Sequence, residues 1–116
     1  MSESTLQRDV LNYLKLVPGI VFGRSNSGLI KTSQGQWVHL LPKGWPDITG
    51  HLPDGRALYI ELKDPTRKPS RDNAKRRATI AAQEAFIADA ARKGCVAFRA
   101  TSVDEVADRI REEVGA

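Results

Sequence analysis

A chain of 116 residues and 12.8 kDa is the size of one domain, and 41% hydrophobic with 28% charged residues is the composition of a folded globular protein, which excludes a disordered segment. The single cysteine, Cys95, excludes an internal disulfide and a cysteine-rich zinc module. A net charge of +4 is modest, and no apolar run approaches the roughly 20 residues that span a bilayer.

The opening Met1-Ser2-Glu3-Ser4-Thr5 lacks the basic-then-apolar order of a signal peptide, so the cytoplasm is the expected compartment. From Ser4 to Leu16, apolar residues at 6, 10, 11, 14 and 17 fall at helical spacing, and Ser4 with Gln7 has the form of a capping box. Val17-Pro18-Gly19 ends this helix. A strand beginning at Ile20-Val21-Phe22 stops at the turn Ser25-Asn26-Ser27-Gly28. Leu29–Thr32 and Gln36–Leu40, joined by Ser33-Gln34-Gly35, predict a hairpin, and Trp37 is expected in the core or an interface. Asp47–Leu52 and Ala57–Lys63 predict a second hairpin around Pro53-Asp54-Gly55-Arg56. In its return strand Leu58, Ile60 and Leu62 share one face, and Tyr59, Glu61 and Lys63 the other.

A long helix follows from Asp72 or Asn73 to Lys93, closed by Gly94, with alanines at 74, 78, 81, 82 and 85 expected to let it approach a sheet closely. Cys95–Arg99 reads as a buried final strand. Ser102-Val103-Asp104-Glu105 is a second capping box before a helix whose Val103, Val106, Ala107, Ile110 and Val114 form one apolar stripe. The expected architecture is α/β, a small mixed β-sheet flanked by helices in the order α-βββ-α-β-α.

Charge is concentrated. From Lys63 to Arg77 the chain carries seven cations (Lys63, Arg67, Lys68, Arg71, Lys75, Arg76, Arg77) against Asp64 and Asp72, while the rest is nearly neutral. Such a stretch is either a solvated loop or a face for a polyanion, because Lys and Arg that meet phosphates release condensed counterions. The second predicted hairpin can bring Asp47 opposite Glu61 and Lys63, which leave one strand on the same side. Two close carboxylates repel unless a cation lies between them, and oxygen ligands suit Mg²⁺ or Mn²⁺, with the Leu62 backbone carbonyl as a further ligand. Such an ion acidifies water and neutralises phosphoryl charge. The plainer alternative is a turn proline with its aspartate, plus a solvent-facing Glu and Lys. His39 and His51 are too few and too differently placed for an HNH or zinc site.

Gly44-Trp45-Pro46-Asp47, Ile60-Glu61-Leu62-Lys63 and Gln83-Glu84-Ala85-Phe86, with the opening Glu3-Ser4-Thr5-Leu6-Gln7, resemble the virus-type replication-repair nuclease (VRR-NUC) domain of the PD-(D/E)xK nucleases, over nearly the whole chain. The resemblance implies a restriction-endonuclease-like fold, metal binding by Glu3, Asp47, Glu61 and the Leu62 carbonyl, and a catalytic site of Asp47, Glu61 and Lys63 supported by Gln83. Arg24-Ser25-Asn26-Ser27 is similar to the loop after the first strand of archaeal Holliday junction resolvases, which implies DNA contacts there beside Arg67, Lys68, Arg71, Lys75, Arg76 and Arg77. The sequence departs from that family's pattern between Arg71 and Ala82, where the path to the glutamine helix is longer by about a dozen residues. The implied activity is Mg²⁺- or Mn²⁺-dependent endonucleolytic cleavage of branched DNA by a homodimer. A nickase, flap or restriction-type nuclease and an inactive DNA-binding module remain open, as does a replication or repair protein as partner.

Overall fold

The computed structural model describes residues 3–25, 29–66 and 73–115, apart from the side chains of Glu3 and Ser4. In chain order these form α1 (Glu3–Leu14), β1 (Val21–Arg24), β2 (Leu29–Lys31), β3 (Trp37–His39), β4 (Ile48–His51), β5 (Ala57–Leu62), α2 (Ala74–Arg92), β6 (Val96–Ala100) and α3 (Val103–Val114). The expected α-βββ-α-β-α order corresponds to this one only when β2 and β3, which pair in a sheet of their own, are set aside. The main sheet is mixed, in the order β1-β4-β5-β6: β1–β4 and β4–β5 are antiparallel, while β6 returns parallel to β5 after the α2 crossover.

Period-two alternation in β5 decides the layers. Leu58, Ile60 and Leu62 are fully buried on one face with Leu6, Val10 and Leu14 of α1 and Val106 and Ile110 of α3. On the opposite face Tyr59 packs its ring against Phe86 of α2 at 5.0 Å. The four-stranded sheet is thus flanked by α1 and α3 on one side and α2 on the other. No described helix is long and apolar enough to cross a membrane.

Several expectations need correction. Helix α1 already includes Glu3, so Ser4 lies inside the helix and not at its N-cap position. Helix α2 does not press an alanine face on the sheet. Ala74, Ala78, Ala81 and Ala85 are exposed, and the half-buried Ile80, Gln83, Phe86 and Ile87 with buried Ala90 turn inward, because larger side chains are needed to fill the space over the strands. Cys95 is half-buried just ahead of β6. Trp37 is no core residue, being 65% exposed on β3.

Caps hold the helix starts. Asn73 accepts the Arg76 N–H at 2.8 Å, and Ser102 accepts that of Glu105 at 3.1 Å while Glu105 reaches back to the Thr101 N–H at 3.0 Å and its hydroxyl at 2.6 Å.

Far from Lys63, the β4–β5 turn is clamped to the end of α3. Arg56 donates to Asp54 Oδ2 at 2.7 Å, to Glu113 Oε2 at 2.7 Å and to the Glu113 carbonyl at 2.9 Å, and Arg109 adds a bond to Glu113 Oε1 at 3.1 Å. Arg56 first, then Arg109, holds the Glu113 carboxyl below its ordinary 4.5, and the Thr101 hydroxyl and N–H do the same for Glu105. A depressed carboxyl contributes stability above its unfolded value and loses it as pH falls through the folded one. Thermal midpoints are therefore expected to stay level from about pH 7 to about pH 5 and to fall below that. Glu113→Gln should shrink that acid loss, and an unchanged acid limb in the variant would show that the clamp is not its source.

Candidate active site

The chain enters the site through Gly44-Trp45-Pro46. Gly44 has φ +88°, and a methyl group there would lie 2.6 Å from the backbone carbonyl carbon and oxygen of Ala82, so only glycine lets this loop lie against α2. Trp45 then meets Phe86 at 5.1 Å and Tyr59 at 6.0 Å, both edge-on, which ties loop, helix and strand into one aromatic cluster. Each such pair adds about 0.5–1.5 kcal/mol beyond its burial. Trp45 is thus packed into a wall beside Asp47. Pro46 is buried next to it and aims Asp47 into the sheet.

Asp47 lies at the head of β4, between β1 and β5. Its carbonyl accepts the Ser25 N–H at 2.8 Å, and its Oδ2 accepts the Leu62 N–H at 2.8 Å. In an extended strand the N–H and C=O of one residue leave on the same side, so the Leu62 carbonyl also leaves β5 toward Asp47. The neighbouring Lys63 N–H goes the other way, to the Ala100 carbonyl at 3.0 Å. Asp47 is thus held beside the residue that separates Glu61 from Lys63.

Glu61 and Lys63 emerge on the α2 face. Lys63 Nζ stands 3.5 Å from Glu61 Oε1 and donates to Gln83 Oε1 of α2 at 3.0 Å. The Glu61 side chain is 5% exposed and that of Lys63 32%. Placing a carboxylate in so dry a position costs several kcal/mol unless a cation and hydrogen bonds compensate, and the Lys63 ammonium is the cation beside it. A largely apolar cavity of about 200 Å³ opens beside it, between α2 and the sheet edge, walled by Ile80, Ile87 and Ala88 with Gln83, Glu84 and Arg99.

Arg99 is the residue the sequence reading missed. It is exposed on β6, directly paired with Glu61 in the parallel register, and so shares the Glu61 face. The break in the buried run Val96-Ala97-Phe98…Ala100 is the local signal, but its pairing with Glu61 depends on register between strands far apart in sequence.

The rest of the expected site is distributed as follows. Leu6 of α1 and Asp64, just past β5, line one cavity of about 300 Å³, so the N-terminal end of α1 borders the exit of the Lys63 strand; the Glu3 side chain lies outside the described residues. Arg24 is exposed at the end of β1, whereas the half-buried Ser25 spends its hydroxyl on Thr49 Oγ1 at 3.3 Å. Asn26, Ser27, Arg67, Lys68 and Arg71 lie outside the described residues. Lys75, Arg76 and Arg77 occupy the first turn of α2, which contains no acid. Three cations at the positive end of a helix dipole oppose its formation, and an anion held there would relieve that opposition.

The donor chemistry fits a hard divalent ion. Asp47 and Glu61 carboxylates and the Leu62 carbonyl are all oxygen donors on adjoining strands. Among the described residues no three His, Cys, Asp or Glu gather in one group that could hold a metal ion. No protein-family model, curated protein or solved structure matches the chain.

Proposed function

We propose that this protein is a metal-dependent DNA endonuclease of VRR-NUC type, with a restriction-endonuclease-like fold, that cuts branched DNA as a homodimer. The observation that carries the reading is the dry Glu61 carboxylate beside Lys63, itself bound to Gln83, at the strand position where Asp47 accepts the Leu62 N–H. A structural ion pair needs neither this burial nor a glutamine from another element.

Asp47, Glu61 and the Leu62 carbonyl would hold Mg²⁺ or Mn²⁺, with Glu3 the carboxylate expected to join them. Bound there, the ion supplies acidification of water and neutralisation of phosphoryl charge. The chain's own residues do the remainder. Gln83 and Glu61 restrain the Lys63 ammonium on two sides, and its part-exposed tip donates to a phosphoryl oxygen as negative charge develops. Gln83 is a positioning residue that acts through Lys63. Trp45, Tyr59 and Phe86 keep the Asp47 loop rigid, and Lys75, Arg76 and Arg77 take flanking phosphates at the head of α2. One site per chain cuts one strand, so paired incisions in a junction call for two copies.

The test compares four-way junction, flap and linear duplex substrates at equal salt. Junction cleavage is expected with Mg²⁺ or Mn²⁺ and none with a chelator, from a species of twice 12.8 kDa. Absence of cleavage of every substrate with both ions, while DNA is still bound, would leave only a binding module.

A further inference from the structure

Between β1 and β4 the chain leaves the sheet to form the β2–β3 ribbon and returns at Asp47. Its register pairs Leu29 with His39, Ile30 with Val38 and Lys31 with Trp37. Residues opposite each other share a face, so Leu29 and Trp37 stand with Lys31 and His39 on one side and Ile30 with Val38 on the other. Both sides are bare: Trp37 is 65% exposed, Leu29 53%, Ile30 46% and Val38 38%. A lone two-stranded ribbon is marginal in water, and one with apolar residues on both faces is built to be covered.

Charge and placement identify the covering partner. From Val10 to Pro46 the sequence contains no Asp or Glu, while Arg24, Lys31 and Lys43 lie along the ribbon and its feet. Two copies of this arm packed together would bring like charges together with no acid to answer them. DNA answers them. Both feet end at the candidate active site, one through the Ser25–Asp47 bond and the other through Gly44-Trp45-Pro46. Lys31 lies directly across from the exposed indole of Trp37, which sets a phosphate donor beside a flat surface on which an unstacked base can lie. A two-stranded ribbon also has the width of a DNA groove.

We infer that the β2–β3 ribbon is a DNA-engaging arm, in which Trp37 stacks on a base unpaired at a branch point while Lys31 holds the adjoining phosphate. The inference deepens the nuclease reading and rests on it for the choice of branched DNA. The arm selects the substrate and the Asp47–Glu61–Lys63 site cuts it.

The experiment follows tryptophan fluorescence on adding a four-way junction or an unbranched duplex, with Ca²⁺ replacing Mg²⁺ to allow binding without turnover. Trp45 is packed against Tyr59 and Phe86, so acrylamide quenching reports chiefly on Trp37. Junction DNA is expected to quench Trp37 and shield it from acrylamide. Trp37→Ala should weaken junction binding by about tenfold or more, duplex binding less, and Lys31→Ser should lower affinity and the salt dependence of binding. The arm is overturned if Trp37 stays accessible with DNA bound, if Trp37→Ala binds the junction as the parent does, or if Trp37 becomes shielded without DNA as protein concentration and solution mass rise together, which would mean that a second copy covers it. Cleavage by wild type and Glu61→Gln with Mg²⁺, read on the same substrates, separates the two conclusions. A shielded Trp37 without cleavage sinks the nuclease and keeps the arm, and cleavage with an accessible Trp37 does the reverse.

Discussion

Glu61→Gln is expected to reduce DNA cleavage by about a thousandfold or more while leaving the fold intact and DNA binding in Ca²⁺ within about threefold. The substitution keeps the shape of a side chain that is 5% exposed and removes only its charge. Two consequences then separate. The negative charge that would hold a divalent ion with Asp47 is gone, and Lys63, 3.5 Å away, loses one of the two groups that restrain its ammonium, keeping Gln83 at 3.0 Å. Stability moves the other way or not at all, since a neutral amide is cheaper to bury than a carboxylate, and residues maintained for chemistry commonly cost the fold something. The thermal midpoint of the metal-free variant should therefore equal or exceed that of the parent. Lys63→Met should fall in activity on a similar scale, and Gln83→Ala by less, because glutamine acts through the lysine. A Glu61→Gln protein that folds, binds DNA and keeps more than a tenth of the parent's rate would show that this carboxylate does not serve catalysis.

The elements that carry these residues were legible wherever one face meets the core and the other does not. The alternation Leu58, Ile60, Leu62 against Tyr59, Glu61 gives both the strand and the face on which Glu61 emerges, and the α3 stripe is buried at Val106, Ala107 and Ile110 and half-buried at its ends, Val103 and Val114. Helix α2 was legible as a helix but not in orientation: its alanines recur on every side, so composition suggests a packing face that the exposed Ala74, Ala78, Ala81 and Ala85 do not form. The core half of the expectation for Trp37 fails for a related reason. A strand with apolar residues on both sides reads as interior, and only the topology, in which β2 and β3 leave the main sheet, puts it in solvent. The contacts that assemble the site are the least legible of all. The Asp47–Leu62 bond, the Lys63–Gln83 bond and the Glu61–Arg99 pairing each join separate elements, and no local pattern encodes their register.

Gly50→Ala should be the most damaging small substitution in the sheet, and its neighbour Gly23→Ala nearly harmless. Gly50 sits in β4 opposite Phe22 of β1, where a methyl group would stand 1.9 Å from the Val21 carbonyl oxygen and 2.7 Å from the Phe22 Cα. Both are backbone atoms, so no side-chain rotation relieves the overlap and β1 itself must move. Gly23 lies in β1 itself, paired with Thr49, and a methyl group there has nothing within 4 Å. Overpacking that displaces backbone costs about 3 kcal/mol or more, or roughly 10 °C in thermal midpoint for a domain of this size. Alanine at Gly23, by contrast, only removes freedom from the unfolded chain and should be neutral or stabilising by up to about 1 kcal/mol. Displacing β1 also reaches the chemistry, because β1 leads into Ser25, whose N–H holds the Asp47 carbonyl at 2.8 Å. Among molecules that remain folded, Gly50→Ala should thus lose cleavage more steeply than DNA binding, while Gly23→Ala keeps both. Equal midpoints for the two variants would mean that β1 does not lie against β4 as closely as this geometry requires, and would loosen the position assigned to Asp47 with it.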